Sequence, residues 1–261
     1  MTEAAYYEAD ELWHPDRYST DEEQRRLSLA GSMLPSDVTT VADIGCGQGA
    51  FLSWLETHRP DLTLFGLERS EAAIRRAVCR TPIAAGSIES LPYQDQQLDA
   101  VSVLEVLEHL PYGNYDLGLS ELARVTKRLI VISVPYAERR HQVRCPECDC
   151  RFHPNYHMRS FDDSNLDNLF PGFMLARREI VPIEDYLGGP LLRWSYRFLR
   201  GGADLMPSGG LCPQCGYRKA AEPSLRSRAA RHLRHRLPIR KRPNWLIGRY
   251  DRLLPSAKLA V

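Results

Sequence analysis

The chain has 261 residues and a mass of 29.8 kDa, so it can bury one large core, or one core with a small appendage. Hydrophobic residues make up 43% of it and charged residues 26%, which is typical of a globular protein and excludes an intrinsically disordered chain. The formal net charge of +1 hides a basic stretch from Arg218 to Arg252, in which Glu222 and Asp251 are the only acids.

The sequence contains no apolar run approaching the roughly twenty residues that a membrane-spanning helix needs. The first residues, Met1–Ala5, lack the basic and then apolar order of a secretory signal peptide. We therefore expect a cytoplasmic protein. In that compartment the seven cysteines are not expected to form disulfides, so we interpret their spacing as metal binding or burial.

A glycine-rich turn is the first motif of the chain. The short apolar run Val41–Ile44 is followed by Gly45, Gly47 and Gly49, and then by the amphipathic stretch Phe51–His58. This order predicts a strand, a tight turn and the start of a helix. Glycines permit positive φ and let a ligand lie against the main chain near the helix amides, so the turn predicts a nucleotide-like cofactor. The turn by itself also fits a loose dinucleotide fingerprint.

Strands and helices alternate from residue 40 to residue 135. The predicted strands are Thr40–Ile44, Leu62–Leu67, Ile83–Gly86, Leu98–Leu104 and Arg128–Val134, and the predicted helices are Ala50–His58, Ser70–Cys79 and Asn114–Thr126. Apolar strands separated by helices predict an α/β fold with a Rossmann-like, doubly wound parallel sheet, whose ligands bind beyond the carboxyl ends of the strands. A helix at Asp162–Phe170 and a strand at Phe173–Ile183 are expected to add an antiparallel edge. The pattern places no seventh strand.

Five motifs stand in order along the predicted strands and the turns that follow them. They are Asp-Ile-Gly-Cys-Gly-Gln-Gly from Asp43, Leu-Glu ending at Glu68, Gly-Ser-Ile-Glu-Ser-Leu-Pro-Tyr from Gly86, Leu-Asp-Ala-Val from Leu98 and Glu-Val-Leu-Glu-His-Leu from Glu105. Together they resemble the class I S-adenosylmethionine-dependent methyltransferases, specifically the small-molecule branch. The resemblance implies S-adenosylmethionine as the cofactor.

The same resemblance implies a set of cofactor contacts. They fall on Asp43, Gly45, Gly47, Glu68, Ser87, Ile88 and Glu105. Glu68 would accept hydrogen bonds from the ribose hydroxyls, and Asp43 would reach the methionine ammonium directly or through water, where Gly45 and Gly47 admit the methionine part. The backbone at Ser87 and Ile88 would face the adenine, with Ser87 replacing the acid common in the family. Glu105 would line the methionine pocket.

Methyl transfer is a displacement at a carbon that the positive sulfur already activates, so positioning supplies most of the catalysis. A neutral hydroxyl or amine acceptor must still lose a proton, and a nearby base assists. His109, beside Glu105 and Glu108, is the candidate base, and the alternative is that it only caps the loop. We expect a small-molecule acceptor methylated at oxygen or nitrogen, such as a natural product or a glycan precursor.

Two Cys-Pro-x-Cys turns predict a metal site. The pairs are Cys145/Cys148 and Cys212/Cys215. Two such turns can present four thiolates tetrahedrally, as a closed structural zinc site requires, and a rival set combines the first pair with His153 and His157. The segment Cys145–Asp162, with a Cys-x-x-Cys and then a His-x-Arg-Ser-Phe run, resembles an insertion in a bacterial subset of these methyltransferases.

These features divide the chain into a helical cap (1–40), a methyltransferase core (41–185) with a zinc-binding insertion (138–160), and a second knuckle with a basic tail (186–261). In the cap, Tyr7 and Trp13 either cover the pocket as a lid or pack on the core. The sequence does not predict the oligomeric state.

Two other functions stay open. An RNA methyltransferase would use the zinc ribbon and the tail to grip phosphates, through Arg226, Arg228, Arg231, Arg234, Arg236, Arg240, Lys241 and Arg242. We disfavour it because no Asn-Pro-Pro-Tyr motif for a flipped base follows the fourth strand. The second is a non-catalytic scaffold with a cofactor fold. The tail alternatively contacts an anionic membrane surface, with Trp245, Leu246 and Ile247 inserted.

Overall fold

The computed structural model describes residues 6–13, 20–138, 142–185, 206, 210–219 and 240–253. The chain forms two compact units. The larger unit comprises Tyr7–Glu138, Met158–Val181 and Asn244–Val261. The smaller unit comprises Met1–Tyr6, Arg139–His157 and Pro182–Pro243, and it contains both cysteine pairs.

Nine strands are described. They are β1 (Thr40–Ile44), β2 (Thr63–Glu68), β3 (Ile83–Ala85), β4 (Leu98–Leu104), β5 (Thr126–Pro135), β6 (Val143–Arg144), β7 (Arg151–Phe152), β8 (Phe173–Asp185) and β9 (Arg240–Arg252). Seven of them form one sheet in the order β3-β2-β1-β4-β5-β9-β8, and β6 pairs with β7 in a separate antiparallel hairpin. In the large sheet β1 to β5 pair in parallel, while β9 runs antiparallel to β5. The predicted doubly wound, mostly parallel α/β sheet is therefore confirmed.

The seventh strand lies in the segment that the sequence assigned to a basic tail. Leu246 and Ile247 are completely buried in β9, opposite Val134 and Ser133 of β5. The prediction that these residues insert into a membrane is wrong, and so is the end of the core at residue 185. The strand that pairs with β5 is β9, which runs antiparallel to it, and β8, the strand predicted for the edge, lies beside β9 at the edge of the sheet. Charged residues at both ends of β9 concealed its short apolar centre.

Five α-helices are described. They are α1 (Asp21–Ser32), α2 (Ala50–His58), α3 (Glu71–Ile74), α4 (Tyr112–Val125) and α5 (Asp163–Leu166), and a 3-10 turn spans Leu107–His109. The predicted helix at Ser70–Cys79 is cut short after its first turn. Its start is correct, since the Ser70 hydroxyl accepts the N–H of Ala73 as an N-cap. The N–H of Val78 then donates to the carbonyl of Gln48, 2.8 Å away, so a tertiary bond to the glycine turn replaces a helical one.

Helices cover both faces of the sheet. On one face α1 packs against α2 and the sheet through Leu27, Ala30 and Met33. On the other face α4 contributes Leu119 and Leu122 to the main core. Among the described residues, no helix is both long and apolar enough to cross a membrane.

Candidate functional site

The turn between β1 and α2 requires glycine for both conformation and space. Gly45 and Gly49 have φ of +72° and +77°, a region that other residues rarely adopt. A Cβ on Gly45 would lie 2.6 Å from Cγ2 of Val106, and one on Gly49 would lie 2.4 Å from Sγ of Cys79. The N–H of Gly45 donates to the carbonyl of Leu67 over 2.7 Å, so the turn is fixed against the end of β2.

The carboxylate of Glu68 holds this corner of the site together. It is only 6% exposed and accepts three backbone N–H groups, from Gly47, Arg69 and Ser70, each at 2.8 Å. Burial raises its pKa, and the three amides oppose that effect. Since an ionised carboxylate offers about four lone-pair sites, about one is left for a ligand hydroxyl. Glu68 thus has a structural role that the sequence did not reveal, beside the ribose contact predicted for it.

Asp43, at the end of β1, is 3% exposed and accepts a 2.7 Å hydrogen bond from the hydroxyl of Ser102 on β4. Burial raises its pKa to about 7, whereas the Ser102 hydroxyl and the guanidinium of Arg26 favour the charged form. A cationic ligand group beside Asp43 would therefore be bound most strongly once this carboxyl has ionised.

Arg26 on α1 is a functional candidate that the sequence analysis missed. Its side chain is buried, its Nε donates to Glu23 over 3.0 Å, and its Nη1 lies 3.9 Å from Oε1 of Glu105. The guanidinium also lies 5.8 Å from the ring centre of Trp245. The available signal was helical spacing, because Arg26 shares the buried face of α1 with Ala30. Burying a charged side chain is costly unless the charge is paired, so a buried arginine on an apolar face indicates a specific partner.

Two residues with carboxyl side chains, Glu105 and Glu108, follow the fourth strand. Glu105 has φ of +57°, a conformation that is uncommon outside glycine, and its Oε1 accepts the hydroxyl of Ser133 at 2.6 Å. Glu108 is completely buried. Burial and the neighbouring charge of Glu105 raise the pKa of Glu108 well above its usual value.

His109 is the last residue of the 3-10 turn after β4. Its imidazole is 22% exposed, and its Nε2 lies 3.8 Å from Oε1 of Glu108. The ring of Tyr7 meets the imidazole edge to face, with the centroids 5.9 Å apart. The guanidinium of Arg69 lies over the ring of Tyr7, 5.0 Å from its centroid.

The N-terminal segment Tyr7–Trp13 is held on the corner between β2 and α3. The carbonyl of Tyr7 accepts both the hydroxyl of Ser70 and the indole N–H of Trp13, each at 2.8 Å. The carboxylate of Glu8 accepts the N–H groups of Glu71 and Ala72 at 3.0 and 3.1 Å, at the start of α3. Through Tyr7, the segment joins the Glu68 corner to the His109 turn.

The two residues predicted to face the adenine differ in their surroundings. The side chain of Ile88 is buried in the main core, where it packs against Gly118 of α4, so only its backbone is available to a ligand. The hydroxyl of Ser87 donates to the carboxylate of Glu89, which also accepts the side-chain amide of Asn114. Glu89 thus supplies an acid two residues after the position where the family commonly carries one.

The methyltransferase domain family matches residues 42–130, the segment that contains the end of β1, the strands β2 to β4, most of the cofactor corner and His109. This segment is therefore similar to the methyltransferase domain family, and the match covers less than half of the chain. An uncharacterized protein of Methanocaldococcus jannaschii is 33% identical over 97 residues, which cover 36% of this chain and 40% of the relative. The chain therefore matches less than half the length of that curated relative.

Three solved structures share the fold of the methyltransferase domain. A chain of the complex between the Haloferax volcanii Trm112 methyltransferase activator and a methyltransferase aligns over 96% of this chain and 95% of its own length, with 16% identity and a TM-score of 0.54. A SAM-dependent methyltransferase from Archaeoglobus fulgidus aligns over 91% and 97%, with 16% identity and a TM-score of 0.52. The 4+2 cyclase SpnF aligns over 89% and 82%, with 16% identity and a TM-score of 0.55. At these identities the likeness establishes the fold alone.

Outside the methyltransferase domain, the two cysteine pairs meet in the smaller unit. The Sγ atoms of Cys145 and Cys215 are 3.7 Å apart, as are those of Cys148 and Cys212, and all four lie within 4.8 Å of one another. Zn–S bonds of about 2.3 Å place the corners of a tetrahedron about 3.8 Å apart. The donor set and its spacing therefore fit zinc.

The rival zinc set is not assembled in this way. The described cluster around Cys145 and Cys148 contains the second cysteine pair and neither histidine. Nδ1 of His153 instead accepts the N–H groups of Asn155 and His157, at 3.3 and 3.2 Å. Cys150 lies next to the cluster and is partly exposed.

The structure describes little of the basic tail. Arg226, Arg228, Arg231, Arg234 and Arg236 lie outside the described residues, and Arg240, Lys241 and Arg242 are described only as main chain of β9. The part of the chain that motivated the RNA alternative therefore adds no described contact.

Proposed function

We propose that this chain transfers the methyl group of S-adenosylmethionine to a small-molecule acceptor, at oxygen or nitrogen. One observation carries the proposal: the carboxyl ends of β1, β2 and β4 join the glycine turn to buried acids and to the buried cation Arg26. S-adenosylmethionine carries a ribose, an ammonium and a carboxylate, and this corner offers a partner for each. The match of the methyltransferase domain family to these residues supports the same function.

Each charged or polar group of the cofactor is assigned a partner of complementary charge or hydrogen-bonding capacity. Glu68 would accept a ribose hydroxyl, while Asp43 and Glu105 would bind the ammonium. Arg26 would bind the carboxylate, since a planar guanidinium matches that group in two parallel hydrogen bonds. The main chain at Gly45 and Gly47 would leave room for the methionine part.

When bound, the cofactor supplies a methyl carbon activated by its sulfonium. The chain then has to hold the acceptor in line with that carbon and to exclude water. His109 would take the proton from the acceptor oxygen or nitrogen. The segment Tyr7–Trp13 would cover this end of the sheet as a lid, a role that its bonds to Ser70 and to the start of α3 support.

Substitution of Arg26 tests the division of charge. Arg26→Met should weaken binding of S-adenosylhomocysteine by roughly 10- to 150-fold, because it removes a charge-assisted contact worth about 1.5–3 kcal/mol. Binding of 5′-methylthioadenosine, which has the ribose and adenine but no amino-acid part, should stay near the wild-type value. Titration calorimetry with both ligands measures the difference. Equal losses for both ligands would show that Arg26 acts on the fold and not on the carboxylate.

The acceptor class is tested by transfer of a labelled methyl group. We expect label in small-molecule fractions and none in RNA. Label in RNA, with binding that falls steeply as salt rises, would favour the nucleic-acid alternative instead. Binding of S-adenosylhomocysteine without transfer to either class would favour the non-catalytic scaffold.

We also propose that Cys145, Cys148, Cys212 and Cys215 hold one structural zinc ion. Four protein ligands close such a site and leave no position for a reacting water, so its role would be to stabilise the smaller unit. The 3.7 Å spacing of the sulfur atoms carries this proposal.

A further inference from the structure

We propose that Arg159 is a positioning residue for methyl transfer, acting through the turn Leu107–His109; the proposal rests on the function proposed above. Arg159 belongs to the His-x-Arg-Ser-Phe run, which the cofactor contacts do not explain. It lies 52 residues after Leu107 in the sequence, yet it bonds directly to the turn that carries His109.

Arg159 and its neighbour bind three main-chain carbonyls of this turn. Nη1 of Arg159 donates to the carbonyls of Leu107 and Leu110, at 2.9 and 2.7 Å. The N–H of Met158 donates to the carbonyl of Glu108 at 2.7 Å. The carbonyls on either side of His109 are thus both fixed from outside the turn.

The guanidinium is itself held in place by two aromatic rings of α4. It lies 3.7 Å from the ring centre of Tyr115 and 5.4 Å from that of Tyr112. The hydroxyl of Tyr112 donates to the carbonyl of Met158 at 3.2 Å, which closes the arrangement. A planar guanidinium can stack and donate at once, whereas a lysine ammonium offers a point charge on a flexible stem.

Two backbone hydrogen bonds within the loop also restrain the turn. Within it, the N–H of His109 donates to Val106 at 3.0 Å and that of Leu110 to Leu107 at 3.4 Å, the second being a long bond. The preceding residue of the same loop, Glu105, has a strained backbone. Because a catalytic group displaced by about 1 Å can lose about 100-fold in rate, external anchoring of this turn bears on the position of His109.

The other end of the run is anchored as well. Phe161 is buried, forms a bridge with Tyr136 after β5, and accepts the N–H of Ala137 at 2.8 Å. Arg159 is therefore presented to the turn from a fixed segment.

The test follows the His109 imidazole directly. We would record long-range ¹H–¹⁵N spectra of the histidine rings, with the His109 signals assigned by His109→Gln. Arg159→Met should shift the His109 signals, and Arg159→Lys should shift them less. Affinity for S-adenosylhomocysteine should change by less than about twofold, since Arg159 is not among the proposed cofactor contacts.

Arg252→Met is the matched control. Arg252 also donates to two main-chain carbonyls, those of Ala123 and Thr126, at the opposite end of β5 from Ser133. It should lower stability without moving the His109 signals. Unchanged His109 signals in a folded Arg159→Met protein, or equal shifts in Arg252→Met, would overturn the proposal. If Arg159→Met does not fold, unchanged signals in Arg159→Lys would overturn it. The spectra need no cofactor, so a failure of S-adenosylhomocysteine to bind would refute the proposed function separately.

Discussion

Glu68→Ala is expected to weaken binding of S-adenosylhomocysteine and of 5′-methylthioadenosine alike, by at least about tenfold. Both ligands contain the ribose, and the substitution removes charge-assisted hydrogen bonds worth roughly 1.5–3 kcal/mol. The loss should exceed that of a simple contact, because the amides of Gly47, Arg69 and Ser70 lose their acceptor and the glycine turn loses one of its bonds to the end of β2. Calorimetry with the two ligands gives both dissociation constants.

Glu56→Ala separates this binding effect from a loss of fold. The carboxylate of Glu56 also accepts two backbone N–H groups, from Arg80 and Thr81 at 2.8 and 2.7 Å, but it is not one of the proposed cofactor contacts. Its removal should lower the melting temperature while leaving both affinities near the wild-type values. A Glu68→Ala protein that binds S-adenosylhomocysteine with an unchanged dissociation constant would refute the assignment of Glu68.

Cys212→Ser is expected to remove the metal and to unfold the smaller unit. Among the residues of that unit that the structure describes, the buried apolar cluster comprises Val143, Cys145, Phe152, Met206 and Cys212, and both cysteines are proposed ligands. In small zinc domains the apparent free energy of metal binding, about 10–16 kcal/mol, is also folding free energy. We therefore expect the smaller unit to unfold when the metal is lost. Elemental analysis should find about one zinc per wild-type chain and none in the variant, and a chelator should reproduce the loss of stability.

Three controls define the ligand set. Cys150→Ser changes the neighbouring thiol outside the four-cysteine cluster and should keep the metal. His153→Ala and His157→Ala should keep it too. Loss of zinc from the histidine variants, with retention in Cys212→Ser, would establish the rival set. Binding of S-adenosylhomocysteine should survive Cys212→Ser, since the proposed cofactor contacts all lie in the larger unit.

The sequence by itself determined the first five strands and the corner that we assign to the cofactor. Those signals are local: apolar runs of strand length, alternate glycines before a helix, and an acid where a strand ends. The carboxyl ends of parallel strands lie at the same end of the sheet. The local signals at Asp43, Glu68 and Glu105 were therefore enough to place these residues close together. The pairing of β1 with β2 and β4 agrees with that inference.

The last strand of the sheet was not determined in this way. β9 has a short apolar centre at Trp245–Ile247 between basic ends, a pattern that also suits a membrane-facing tail. This segment becomes a strand because it can pair with the free edge of β5. Pairing there forms a ladder of backbone hydrogen bonds and buries Leu246 and Ile247 on opposite faces of the sheet. The early end of α3 has the same kind of cause, since Val78 bonds to the glycine turn.

The tertiary structure also decided which charged side chains matter. Arg26 and Arg159 stand in the sequence among many arginines, and neither belongs to a motif of the cofactor corner. Folding brings Arg26 beside Glu105 from a helix before the sheet, and it brings Arg159 to the carbonyls around His109 from a segment after it. The spacing of four sulfur atoms from two distant cysteine pairs is settled in the same manner. Local sequence sets backbone conformation, whereas the partner of a buried charge or thiol depends on which elements pack together.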